Sequence, residues 1–93
     1  MSKWEKVGVV AVDAGILMIG DPCYQIQSDS CEMPKTWKGF CEVIGDETIH
    51  QFNFKKGHHG AAVVIGGFGG DGVFDVEVKK NETGRITEMR VRF

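Results

Sequence analysis

Two aspartates sit in glycine-flanked turns, Gly20-Asp21-Pro22 and Gly70-Asp71-Gly72. If those turns met in space, the carboxylates could hold a divalent cation or divide general-acid and general-base roles. A calcium loop needs more oxygen ligands at fixed spacing, and no DxDxDG run occurs. The plainer reading is that each carboxylate bonds its own backbone in an Asx turn. Cys23 follows the proline turn, as a thiol nucleophile at a strand end would. Nothing in the sequence supplies its base or an oxyanion hole, so a small buried apolar residue is the preferred reading. His58-His59, His50, Cys23, Cys31 and Cys41 are the ligand types that zinc or copper favours. Their spacing is not that of a zinc finger, and adjacent histidines on a strand point to opposite faces. The histidine pair reads as a solvated loop tip. His50, on one strand face with Phe52 and Phe54, reads as a satisfied core histidine.

The stretch Gly66-Gly67-Phe68-Gly69-Gly70-Asp71-Gly72 could cradle a phosphate through backbone N–H groups. It lacks the lysine and the strand-to-helix context of a P-loop. Phe68, between glycine pairs, could stack on a base or nucleotide ring; otherwise it tucks into the core. Trp4 and Trp37 read as core or edge anchors, and as an interface if exposed.

The elements that must position these groups read as strands. Val7–Val12 and Ile16–Ile19 are apolar, short and rich in β-branched residues, and the Asp13-Ala14-Gly15 turn between them suggests a hairpin. Val7–Val12 is apolar on both faces, as a central strand would be. Asp21 precedes Pro22, where its carboxylate can accept from a nearby backbone N–H. Residues 23–36 are irregular and read either as a long loop or as holding one short helical turn from Ser28-Asp29-Ser30 to Met33, stopped by Pro34. Residues 37–44 alternate imperfectly and read as a strand; Ile49–Phe54 alternates more cleanly. Ala61–Ile65, the glycine run, Val73–Val78 and Arg85–Phe93 suggest a three-stranded meander. In its last two strands Phe74, Val76 and Val78 oppose Asp75, Glu77 and Lys79, and Glu77 is expected to pair with Arg90. About seven strands predict an all-β fold: one small antiparallel sandwich or partly open barrel covering residues 1–93.

Composition narrows the function classes. The net charge is −2 and the basic residues are scattered, which is not the footprint of a duplex nucleic-acid binder. Three cysteines without a CxxC pair fit reduced thiols in a cytoplasmic protein better than a disulfide framework. No apolar run approaches the roughly 18 residues of a membrane span, and the start lacks a signal-peptide pattern.

Residues Val10–Pro22, ending in Gly-Asp-Pro, and Gly70-Asp71-Gly72-Val73-Phe74-Asp75-Val76 form an ordered pair of motifs. Gly84-Arg85-Ile86 and a closing Val91-Arg92-Phe93 follow them. Together they resemble the bacterial and phage domain of unknown function 4241. The resemblance covers about a third of the chain and carries no assigned activity. It implies a small intracellular β domain.

Turns and core account for nearly every residue, and no catalytic set is complete. The expectation is a non-enzymatic domain, without cofactor or metal, that binds a protein partner or small ligand. Asp21, Cys23, Tyr24, Phe68 and Asp71 are its candidate contact residues. The alternative is a metal-dependent or cysteine-based hydrolase using Asp21, Asp71 and a cysteine or histidine. A third reading is self-association through an open strand edge.

Overall fold

A computed structural model describes residues 3–26 and 29–93. The chain forms two compact units: one from the residues up to Gly15 together with Phe68–Phe93, the other from Ile16–Gly67. Among the described residues six strands and two helices are formed, in two three-stranded antiparallel sheets, and neither sheet closes into a barrel. No helix among the described residues is long and apolar enough to cross a membrane.

The first unit is a sheet of β1 (Glu5–Val12), β5 (Gly72–Lys80) and β6 (Ile86–Val91), with β5 in the centre. The second holds β2 (Leu17–Gly20), β3 (Ile49–Phe52) and β4 (Ala62–Ile65), with β4 in the centre, and helices α1 (Pro22–Ile26) and α2 (Trp37–Ile44).

Two connections differ from the sequence reading, and so does the place of β1 in its sheet. Residues 7–19 are not a hairpin: β1 pairs with β5 and β2 with β4. The expected meander keeps only its β5–β6 half. Both edges of β4 are already taken, by β2 and β3, so β5 has no edge there to join. The glycine run is therefore a link between sheets rather than a hairpin turn. β1 is an edge strand despite its apolar sequence, with Val7 54% and Val9 55% exposed. β-branched residues favour extended backbone whether or not they are buried.

The register within β5–β6 follows the alternation. Glu77 stands opposite Arg90, and the Arg90 Nε donates to Glu77 Oε1 at 2.8 Å. Trp4 lies under that guanidinium, 3.9 Å from ring centre to Cζ, with Lys79 Nζ 4.9 Å from the same ring.

Residues 37–44 are a helix, not the seventh strand. Phe40 and Ile44, four apart, are its buried residues, and Trp37 stacks on Phe40 one turn earlier. Thr36 is the N-cap, its Oγ1 accepting from Gly39 N–H at 3.0 Å, and Gly45 N–H closes the last turn on the Cys41 carbonyl. Gly39 belongs to that cap: a Cβ there would stand 3.0 Å from Thr36 Oγ1 and 3.2 Å from Pro34 Cβ. Aromatic, β-branched and glycine residues all lower helix propensity, which disguised the i, i+3, i+4 spacing.

The core of this unit is Cys31, Phe40, Ile44, Phe52, Ala61, Ala62 and Val64. The short helix lies about two turns earlier than expected, at Pro22–Ile26, with proline in its first position. The expected turn from Ser28 falls partly outside the described residues; Asp29–Met33 is not helical.

Candidate functional site

Tyr24 and Phe54 meet edge to face, 4.8 Å between ring centres, beneath an open depression of about 480 Å³. Asp29, Ser30, Lys55, Lys56 and His58 complete its lining. All seven residues belong to the Ile16–Gly67 unit.

The lysines are held by a tight reversal. Gly57 N–H donates to the Phe54 carbonyl at 3.0 Å, and Phe54 N–H donates to the His58 carbonyl at 2.8 Å. This is a three-residue loop of the type that needs a left-handed residue in third place, which Gly57 supplies at φ +87°. Lys55 and Lys56 occupy the two corners. The loop in turn recruits residues 30–32: Lys55 N–H donates to the Ser30 carbonyl at 2.7 Å, and Glu32 N–H to the Asn53 carbonyl at 2.8 Å. Cys31 forms a β-bridge with Phe54 between them and is buried. A short antiparallel pairing thus brings Asp29 and Ser30 beside a loop some 25 residues later in the chain.

Tyr24 comes from α1. Asp21 Oδ1 accepts from Cys23 N–H at 2.9 Å, the Asx turn expected of it, and the Asp21 carbonyl accepts from Tyr24 N–H at 3.0 Å. Gln25 ties the helix to the sheet, its Nε2 donating to the Ala61 carbonyl at 2.9 Å.

Three ammonium groups stand against one carboxylate. Lys35 Nζ lies 2.6 Å from Asp29 Oδ1. That hydrogen bond and the Lys35 charge, with a smaller contribution from Lys55, hold the Asp29 carboxyl below its ordinary range. Lys35 thus neutralises Asp29, and no carboxylate among the described residues forms an ion pair with Lys55 or Lys56. The depression carries net positive charge over an aromatic floor.

Of the residues singled out in the sequence, Tyr24 and His58 meet here. Asp21 and Cys23 lie at the start of α1, where Asp21 is occupied by its own turn. Cys23 is exposed rather than the buried apolar residue its sequence context suggests, because α1 buries none of its residues. Phe68 and Asp71 belong to the other unit. Phe68 is half-buried, stacks one face on Phe93 at 3.9 Å and meets Phe74 edge-on at 5.8 Å. Asp71 is exposed, with Oδ1 4.0 Å from where a Cβ on Gly15 would sit.

Among the described residues no three His, Cys, Asp or Glu side chains gather as a metal site. His50 is half-buried, its Nδ1 2.6 Å from Glu47 Oε2 and its ring against Phe52. Sequence reasoning passed over Phe54, Lys55 and Lys56. Their signal was the Phe-Lys-Lys-Gly-His pattern, a strand end followed by a three-residue glycine loop.

Compared with protein-family models, curated proteins and solved structures, the chain matches none.

Proposed function

We propose that this protein is a non-enzymatic binding domain, and that its ligand seat is the depression over Tyr24 and Phe54. One observation carries the reading: an aromatic pair, Tyr24 exposed and Phe54 half-buried, lines an open cavity of about 480 Å³. Pockets of this size, mostly apolar with a few polar groups at the edge, suit small organic ligands. Tyr24 remains 37% exposed even though Phe54 packs on it, which leaves ring surface for a guest. A cytoplasmic setting and kinship with the family resembled by the Gly-Asp-Pro and Gly-Asp-Gly motifs belong to the same proposal.

The test is a ¹⁵N–¹H NMR titration with a small set of one- and two-ring aromatic compounds, charged and uncharged. Binding here shifts the amides of Tyr24, Ser30, Phe54 and His58 together, and Tyr24→Ala abolishes the response while the remaining spectrum stays folded. Absence of any response at those amides across the set overturns the proposal.

A further inference from the structure

We infer that the preferred ligand is a small aromatic anion, a ring system bearing a carboxylate or phosphate group. The inference rests on the binding reading above and narrows it. The ring requirement comes from the floor. Tyr24 and Phe54 are already edge to face, and a third ring extends that arrangement by edge or offset contact, which a flexible aliphatic chain does not.

The charge requirement comes from the rim. The turn fixes Lys55 and Lys56 at adjacent corners, closed by the Gly57-to-Phe54 and Phe54-to-His58 hydrogen bonds. The two lysines line the same cavity as the rings. The single carboxylate in the lining, Asp29, is engaged by Lys35. A cationic or neutral guest would forgo both ammonium groups, whereas an anion gains charge-assisted hydrogen bonds from them. The depression also contains too little polar surface besides these groups to hold a strongly polar body such as a sugar without leaving hydroxyls unpaired.

The experiment compares three probes of nearly the same body on the full chain by NMR titration: 1-naphthoate, 1-naphthyl phosphate and 1-naphthalenemethanol. The expected result is that one or both anions bind at Tyr24, Phe54 and His58 about tenfold more tightly than the alcohol. The Lys55→Gln/Lys56→Gln variant brings the anions down to the level of the alcohol and leaves the alcohol unchanged. Both lysines are exposed on a loop, so this variant keeps its fold, which the unchanged remainder of its spectrum verifies. High salt weakens the anions selectively. The relative affinity of naphthoate and naphthyl phosphate tells carboxylate from phosphate. Equal binding of alcohol and anions, insensitive to the lysine substitutions, overturns this inference while the binding reading stands. No binding by any of the three at these amides overturns both.

Discussion

The two units of this protein are held together in different ways. In the sheet of β1, β5 and β6, Val12 and Val78 are the buried apolar residues among those described. Beside its backbone ladders it carries cross-strand ion pairs, Lys6 with Asp75, Lys79 with Glu88, Lys80 with Glu5 and Arg90 with Glu77, and the ring cluster of Phe68, Phe74 and Phe93. The Ile16–Gly67 unit instead closes on a core of seven buried residues drawn from its sheet, from α2 and from the segment at Cys31. The contrast explains where a binding seat can arise. A paired sheet face uses its charges on itself. A core-built unit can carry irregular backbone on its outside, and the Phe54–His58 loop leaves two lysines without carboxylate partners among the described residues.

The largest effect should come from the core of the second unit. Phe52, 3% exposed, packs against Phe40 and His50. Phe52→Ala should cost about 3–5 kcal/mol in urea unfolding. Phe74→Ala, in the half-exposed ring cluster, should cost about 1–2 kcal/mol. Equal losses for the two substitutions would erase the contrast. Next comes the helix cap: Thr36→Ala removes the acceptor for Gly39 N–H and should cost about 1 kcal/mol, read as a lower midpoint with unchanged slope.

The same division governs what the residues disclose. In β5 and β6 each strand alternates, so the Glu77–Arg90 pair is legible in the sequence, although apolar Met89 in β6 is 57% exposed. The side-chain period of two needs no knowledge of the remaining chain. Which strands become neighbours is a different matter. Val7–Val12 and Ile16–Ile19 look like a hairpin locally, yet β4 lies between β2 and β3 and β1 lies on β5. That choice is made by competition for strand edges, which no local pattern records. The helix at Trp37–Ile44 was hidden for a related reason. Its propensities are poor, and burial of Phe40 and Ile44 with two caps overrides them. The proposed ligand seat was half legible. Tyr24 and His58 could be singled out by type, whereas the pairing of residues 30–32 with 53–55 that joins them is tertiary.

A smaller effect probes the sheet unit's own cohesion. Glu77 and Arg90 are 18% and 27% exposed at their side chains, less open than the other ion pairs of the sheet. A double-mutant cycle with Glu77→Gln and Arg90→Gln should give a coupling of up to about 1 kcal/mol. The guanidinium also lies over Trp4, so Arg90→Gln alone should cost more than Glu77→Gln and quench or shift Trp4 fluorescence. A coupling of zero, with equal single losses, would mean that backbone pairing alone holds the β5–β6 register.

The smallest effect lies at the seat and concerns charge rather than stability. Asp29 is fully exposed, and Lys35 holds its carboxyl below the ordinary carboxylate range. A carboxyl lowered on folding adds stability above its unfolded value, and that contribution is lost as pH falls through the folded value. The window is therefore acidic, and at neutral pH Asp29 is ionised and matched by Lys35. Lys35→Met should raise the Asp29 pKa toward the ordinary range, followed by ¹³C NMR of the side-chain carboxyl. It should leave Asp29 as an unmatched negative charge beside Lys55 and Lys56, and so weaken an anionic aromatic probe at neutral pH. Acidification below the raised value should restore part of the binding of 1-naphthyl phosphate, which keeps one negative charge there whereas 1-naphthoate does not, because protonation removes the competing carboxylate. If Lys35→Met moves neither the Asp29 titration nor the probe, the Lys35–Asp29 pair does not set the charge of the depression, and Asp29 does not compete with an anion for Lys55 and Lys56.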